Sequence, residues 1–192
     1  MPPDPLSLAN PASPILAADP ATSAAKEQFL RFRLGANTTA LLPIPQLTEA
    51  LTIPMGQILP IPHLPAWAMG VYNWRGEILW MVDLACLVGL MPWYKQAMSR
   101  PTYSALVLHP SYDQSSRSAN SSQILGLVVD RVEDIEWFPP EAIQSPPTDA
   151  VVADLVPFLR GYWLNSDGEL AAVLDGESII SRISRMTDRL AA

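Results

Sequence analysis

The sequence predicts a mainly β protein in which two small, similar β-barrels pack side by side around one shared hydrophobic core, with short helices and a C-terminal helix. Three observations support this prediction. Short apolar segments are separated by turn-forming residues, two stretches of the chain repeat one pattern, and apolar residues near the C-terminus recur at helical spacing.

The chain of 192 residues begins with a zone of distinct composition. In residues 1–26, prolines stand among alanine, serine and asparagine, and few large apolar side chains are available for burial. Each proline also removes a backbone hydrogen-bond donor. We therefore expect a disordered Pro- and Ala-rich tail at 1–26 and a folded domain at 27–192, with a long polar surface loop at 111–122.

The predicted strands follow in chain order. In residues 29–34, large apolar side chains alternate with basic ones, which is typical of a strand that buries one face. Residues 78–82 form an apolar run that follows an Arg-Gly turn, and residues 104–108 and 124–129 are further short runs bounded by turn formers.

The last segment differs from the others, because its apolar residues recur every three or four positions and predict an amphipathic helix. These residues are Ile179, Ile183, Met186 and Leu190.

An internal repeat is the most informative feature of the sequence. Residues 76–83 and 168–175 share a Gly-Glu opening, an apolar run and a closing Asp, and upstream of them Gly70 corresponds to Gly161. Further back, Leu42, Ile44, Leu47 and Glu49 correspond to Leu127, Val129, Val132 and Asp134.

The repeat predicts a first subdomain at about 38–90 and a second at about 123–178. Units of this size bury little surface alone, so the two should share one core. The groove between them is then the natural place for a helix or loop of a partner.

Composition excludes several classes of function. One cysteine and two histidines cannot supply a Cys-rich or multi-histidine metal site, and no catalytic motif is present, so we expect no enzymatic activity, no cofactor and no metal. A net charge of −7 argues against binding nucleic acid or an anionic membrane surface. Without a signal peptide or a membrane-spanning apolar run, the sequence predicts a cytoplasmic protein with no direct membrane insertion.

The repeat also identifies candidate structural residues. Asp83 and Asp175 end equivalent strands just before predicted helices, so each is expected to act as a helix N-cap. Gly76 and Gly168 mark equivalent turns, and Gly70 is the repeated glycine upstream of the first of them.

Arg75 and Glu49 are candidates of another kind. Arg75 precedes the turn glycine but has no arginine counterpart in the second repeat, so the fold itself does not require it. Two interpretations of Arg75 stay open: a planar, multi-donor contact to a partner, or a turn-stabilising arginine paired with a local carboxylate. Glu49 is likewise either a partner contact or a solvated charge at a strand end.

At these residues the sequence resembles the CheW-like family, the adaptor domains of bacterial chemosensory arrays. Residues 59–76 are similar to the family's Pro-rich loop and its Gly-Val-x-Asn-x-Arg-Gly motif. Residues 82–84, 127–132 and 161–175 resemble later family segments in the same order, and the resemblance spans about 27–189. It implies two SH3-like, five-stranded β-barrel subdomains.

The resemblance also implies function and site residues. Domains of this family are not catalytic, and they bridge the cytoplasmic tip of a chemoreceptor (methyl-accepting chemotaxis protein) and the regulatory domain of a CheA-like histidine kinase. The implied receptor contacts are Leu47, Glu49, Asn73 and Arg75. The sequence departs from the family at Pro43 and Pro45, which interrupt the strand before Glu49.

The leading hypothesis is a non-enzymatic adaptor that couples receptor to kinase in a chemotaxis, phototaxis or twitching-motility pathway. The alternative is a small-ligand sensor that uses the groove between the two barrels as a pocket. An apolar cavity lined by polar groups from both repeats, or thermal stabilisation by metabolites, would favour the alternative.

Overall fold

The computed structural model describes residues 25–35, 37–92, 95, 101–109, 124–145 and 153–191. The predicted tail, apart from its last two residues, and the predicted loop at 111–122 lie outside these ranges. Within them the chain forms ten β-strands and two α-helices. In chain order these are β1 Glu27–Leu34, β2 Thr38–Pro43, β3 Leu47–Pro54, β4 Ala68–Trp74, β5 Glu77–Asp83, α1 Leu84–Leu87, β6 Thr102–Leu108, β7 Leu125–Val129, β8 Arg131–Phe138, β9 Leu159–Leu164, β10 Leu170–Leu174 and α2 Gly176–Ala191.

The strands form two five-stranded sheets with the same internal order. Sheet A runs β8-β1-β2-β10-β9, and sheet B runs β3-β6-β7-β5-β4. Each sheet has one parallel pair, β2 with β10 and β7 with β5, and its other pairs are antiparallel. The predicted mainly β fold is therefore confirmed, whereas the SH3-like barrel form of each half stays a prediction.

Each of the two segments predicted as subdomains gives one strand to the sheet that the other segment mainly forms. β2 lies in sheet A, and the chain then passes through a 3-10 turn at Ile44–Gln46 into β3 of sheet B. In the same way β7 lies in sheet B, and the single residue Asp130 leads into β8 of sheet A. The segments predicted as subdomains, 38–90 and 123–178, therefore each contribute strands to both sheets.

The buried side chains divide into one central cluster and two smaller ones. The central cluster takes residues from both sheets and from both helices, among them Phe32, Leu127 and Ile179. A second cluster is built mainly from sheet B and a third only from sheet A. Side chains alternate across each strand, so Met81 of β5 joins the sheet B cluster while Val82 joins the central one. The two sheets share a core, as the repeat predicts.

The C-terminal helix covers part of this shared core. Ile179 and Ile183 of α2 are buried in the central cluster, and their spacing of one helical turn places both on one face of the helix. Arg182 lies over Phe158, with its guanidinium carbon 5.6 Å from the ring centroid. The predicted C-terminal helix is thus confirmed, and it is held by apolar packing and a cation–π contact.

A close backbone approach requires glycine at position 70. Leu59 and Val71 exchange two backbone hydrogen bonds, with N···O distances of 2.8 and 2.9 Å. A Cβ on Gly70 would lie 2.1 Å from the carbonyl oxygen of Leu59, and the φ angle of Gly70 is +133°. Gly161 takes the same place in sheet A, where a Cβ would lie 2.5 Å from the carbonyl oxygen of Gln144. The repeated glycines are explained by these contacts.

We expect Gly70→Ala to lower the free energy of unfolding by at least about 2–3 kcal/mol, because the new Cβ would clash with hydrogen-bonded backbone. Urea denaturation followed by circular dichroism measures this loss. Gly56→Ala is the matched control, since no atom lies within 4 Å of its Cβ position. The control should shift stability by less than about 0.5 kcal/mol, and equal losses in both variants would contradict the steric explanation.

Candidate functional site

The hairpin between β4 and β5 turns through only two residues, Arg75 and Gly76. Their φ angles are +54° and +88°, both positive as a two-residue type I′ turn requires. Gly76 adopts this conformation freely, and its N–H donates to the side-chain oxygen of Asn73 at 3.0 Å. Arg75 is strained there, because residues with a Cβ rarely adopt positive φ.

Glu49, Trp74 and Arg75 form a compact cluster beside this turn, which we call the edge cluster. The indole Nε1–H of Trp74 donates to Oε1 of Glu49 at 2.7 Å, and Nη2 of Arg75 donates to the other carboxylate oxygen, Oε2. The guanidinium carbon of Arg75 also lies 5.1 Å from the centroid of the Trp74 ring, within range of a cation–π contact. Each member of the edge cluster therefore contacts both of the others.

The edge cluster joins the two edges of sheet B. Glu49 lies on β3 and Trp74 on β4, which are the first and last strands in the order of the sheet. A flat five-stranded sheet would hold these strands about 19 Å apart, at about 4.8 Å per strand. Their side chains meet because the sheet curls, and a bulge between Leu47 and Glu49 is one device that bends a strand in this way.

The prolines before Glu49 lie at the crossover between the sheets. Pro43 is the last residue of β2, and Pro45 lies in the first turn of the 3-10 segment Ile44–Gln46. Both prolines precede the first residue of β3, so the N–H that each lacks removes no hydrogen bond from the ladder of β3. β3 begins only at Leu47, which is half-buried and packs against the central cluster. The family departure at these prolines therefore leaves β3 intact.

A carboxylate on the equivalent edge strand of sheet A is surrounded by arginines. Glu133 lies at the bulge of β8, and arginines of β1 and β8 surround it. Its partners are Arg31 Nε at 2.9 Å, Arg33 Nε at 3.1 Å and Arg131 Nη2 at 2.7 Å. Burial alone would raise the pKa of Glu133, but these arginines outweigh burial and hold the pKa below its ordinary value.

The strand registers agree with the pairing of Glu49 with Asp134 in the sequence repeat. Ala50 and Ile135 occupy equivalent places in β3 and β8, and Glu49 and Asp134 precede them by one residue. Asp134 is nevertheless exposed, and its carboxylate accepts the neighbouring N–H of Ile135 at 3.0 Å. The ion pairs at the bulge of β8 are formed by the neighbouring residue, Glu133.

The carboxylate sites of the two sheets are similar in exposure but differ in backbone conformation. The side chain of Glu133 is 15% exposed and that of its partner Arg131 is 67% exposed. In the edge cluster, Glu49 is 23% exposed and Arg75 is 69% exposed. Of the two exposed arginines, Arg75 is the one with a positive φ.

The predicted capping residues lie at the starts of both helices. Oδ1 of Asp83 accepts the N–H of Cys86 at 3.0 Å, and Oδ2 of Asp175 accepts the N–H of Ser178 at 3.1 Å. Gln46 also donates to Asp175 at 3.0 Å and accepts the N–H of Gly176 at 2.8 Å. Burial alone would raise the pKa of Asp175, but the bonds from Ser178 and Gln46 outweigh it and lower the pKa.

The turn of the second repeat is built differently from that of the first. Gly168, with a φ of +79°, lies in a longer connection between β9 and β10. The side-chain oxygen of Asn165 accepts the N–H groups of Asp167 and Glu169 at 2.9 and 2.8 Å. The repeat thus keeps a positive-φ glycine in both hairpins, while the arginine occurs only in the first.

The structure brings together two of the predicted receptor contacts, Glu49 and Arg75, and places the other two beside them. Asn73 shapes the turn, and Leu47 precedes Glu49 by two residues on β3. Sequence reasoning missed Trp74, because its contact with Glu49 depends on the curl of the sheet. Its position next to the motif arginine was the one available signal.

The described part of the chain shows little that points to metal or membrane chemistry. Within it, no group of three or more histidine, cysteine, aspartate or glutamate side chains could hold a metal ion. No helix in the same ranges has the length and apolar character needed to cross a membrane. Cys86 is half-buried, and burial, together with the nearby Asp83, raises the pKa of its thiol.

Comparison with known proteins identifies the family of this chain. The family model described as CheW-like domain matches residues 28–184. A probable chemotaxis protein CheW of Rhizobium etli is 31% identical over 122 residues, which cover 63% of this chain and 68% of the relative. The chemotaxis protein CheW of Rhizobium meliloti is 29% identical over 121 residues, which cover 62% and 67%. The chain belongs to the CheW-like family.

A solved structure has the same fold. The crystal structure of the scaffolding protein TtCheW from Thermoanaerobacter tengcongensis superposes with a TM-score of 0.60 and covers 78% of this chain and 88% of its own. The two sequences are 19% identical, so the likeness shows the fold alone.

We expect the stability provided by Asp175 to depend on pH. The folded-state pKa of Asp175 lies below the ordinary value of 3.8, so its contribution is present above that pH and is lost as pH falls through the folded pKa. Asp175→Asn keeps a side chain able to cap the helix but removes the charge. The variant should be about 1 kcal/mol less stable than wild type at neutral pH.

Urea denaturation of both proteins between neutral pH and pH 2.5 measures this difference. The difference in free energy of unfolding between wild type and Asp175→Asn should approach zero as the pH falls. At low pH the protonated carboxyl group of Asp175 resembles the amide of the variant. A difference that stays constant across the range would contradict a role for the charge.

Proposed function

We propose that this protein is a non-enzymatic adaptor that works in the cytoplasm and couples chemoreceptors to a CheA-like histidine kinase. Membership of the CheW-like family and the names of the two Rhizobium relatives support the pathway. The observation that carries the proposal is the state of Arg75, a strained and exposed arginine at the rim of sheet B.

The turn by itself does not favour an arginine. The preferred sequence of a type I′ turn is asparagine followed by glycine, because asparagine tolerates a positive φ. The ion pair between Arg75 and Glu49 lies at the surface, where such pairs stabilise proteins little. Neither the backbone nor the pair accounts for Arg75, so its exposed guanidinium is best explained by contact with a partner.

The surroundings of Arg75 suit a helical receptor tip. Asn73 lies directly across the hairpin from Ile78, an apolar residue that is 67% exposed. The exposed apolar side chain and the guanidinium thus lie on the same hairpin, with Leu47 and Glu49 on the facing edge strand. A charged anchor beside apolar area is typical of a surface that binds an amphipathic helix.

Co-sedimentation tests the proposal directly. The protein is mixed at micromolar concentration with membranes that contain a chemoreceptor, with and without the CheA-like kinase of the same cell. We expect the protein to pellet with the receptor and to increase the amount of kinase retained. Failure to retain either partner would refute the adaptor function, and thermal stabilisation by a metabolite instead would favour the small-ligand alternative.

Arg75→Asn separates the role of Arg75 in the turn from its role in binding. Asparagine suits the positive φ, so the free energy of unfolding should stay within about 1 kcal/mol of wild type or rise. Receptor affinity, measured by the same sedimentation, should fall by about tenfold, because the exposed guanidinium is lost.

Arg131→Asn is the matched control for this variant. Arg131 is 67% exposed and pairs with a carboxylate of sheet A, Glu133, much as Arg75 pairs with Glu49. Receptor affinity should stay unchanged in the control. If both variants bound the receptor as wild type does, the assignment of Arg75 to the receptor surface would be wrong.

A further inference from the structure

Trp74 holds the other two members of the edge cluster at once. Its indole N–H donates to Oε1 of Glu49 at 2.7 Å, which leaves Oε2 to accept from Arg75. Its ring lies 5.1 Å from the guanidinium carbon of Arg75. The ring itself is half-buried and packs against the apolar cluster inside sheet B, so it is anchored while Arg75 is exposed.

We propose that Trp74 is a positioning residue for partner binding, an inference that rests on the proposed function. It fixes Glu49 through its N–H and Arg75 through its ring face, so that the guanidinium meets the partner already oriented. The part of the partner that Arg75 meets carries a carboxylate, the group that matches a planar guanidinium best.

The conformational freedom of arginine is the physical reason that such positioning matters. An exposed arginine samples many rotamers, and binding must order it. A guanidinium carries five N–H donors, and the bond to Glu49 uses one nitrogen. The cation–π contact with the indole and the pair with Glu49 hold the guanidinium from two sides and so restrict the positions that it can take. Donors on the outer edge are then directed away from the sheet before the partner arrives.

Sheet A shows that the fold does not need this arrangement. The carboxylate of Glu133, at the bulge of the equivalent edge strand, is held by arginines of β1 and β8, and the turn of the hairpin in sheet A is stabilised by Asn165. Sheet A thus forms without an indole at its turn. Trp74 occurs beside Arg75, the exposed arginine with a positive φ, which links the indole to the proposed binding surface.

Two substitutions separate the hydrogen bond of Trp74 from its ring. Trp74→Phe keeps an aromatic ring under Arg75 but removes the N–H, whereas Trp74→Leu removes both. We expect receptor affinity to fall by about threefold in the first variant and by about tenfold in the second, with cooperative unfolding retained in both. Trp163→Phe is the control, because Trp163 is also half-buried and stacks on Phe138 at 4.3 Å but lies in sheet A.

A double-mutant comparison distinguishes positioning from general packing. In the Arg75→Asn background, Trp74→Phe should cause no further loss of affinity, because the group that it positions is absent. A merely structural role would give the same loss in both backgrounds. Equal receptor affinity of wild type and Trp74→Phe would overturn the inference, whereas failure of wild type itself to bind would refute the proposed function instead.

An NMR measurement tests the contact without relying on a Trp74 variant that folds. In a ¹⁵N–¹H spectrum, the indole N–H resonance of Trp74 should move upfield in Glu49→Gln, because a charged acceptor is replaced by a neutral one. The Trp163 resonance should not move. An unchanged Trp74 resonance would show that the indole does not hold Glu49 and would overturn the inference.

Discussion

The structure depends on an exchange of strands between its two sheets. β2 and β7 are the middle strands of their sheets, and each forms the parallel pair with a strand from the other half of the chain. In sheet B, β7 is hydrogen-bonded to β6 on one side and to β5 on the other. Without β7, the pair β3 and β6 would therefore be separated from the pair β5 and β4. The central cluster follows from this constraint, because the crossing segments bring both sheets and both helices to one place.

On this shared frame, the two halves surround the carboxylates of equivalent edge strands differently. Glu133 of β8 is neutralised by arginines that come from strands. Glu49 of β3 is held by the two residues at the end of one hairpin, and one of them, Arg75, has a strained backbone. The repeated fold therefore supplies the edge strand twice, while the side chains around its carboxylate differ between the two halves.

The sequence was sufficient for the strand pattern, the shared core and the C-terminal helix, because hydropathy periods report which face of an element is buried. It could not show that β2 and β7 change sheets, since periodicity does not specify the neighbour of a strand. The repeat aligned Glu49 with Asp134 in agreement with the strand registers, but it could not show that the neighbouring Glu133 forms the ion pairs of β8, because a bulge changes the direction of the side chains beside it. The sequence also could not identify Trp74 as a site residue. Its partner, Glu49, lies on the opposite edge of sheet B, and the two side chains meet only because the sheet curls.

The positive φ of Arg75 has a consequence for protein engineering. A procedure that ranks positions by backbone strain would select Arg75 early and replace it with a residue better suited to the turn. The redesigned domain would fold with a stability close to that of wild type, so assays of stability would not reveal the loss of the arginine. Local backbone strain at a solvent-exposed charged residue is therefore a reason to keep that residue in this fold. In this hairpin, Arg75 is the residue to leave unchanged.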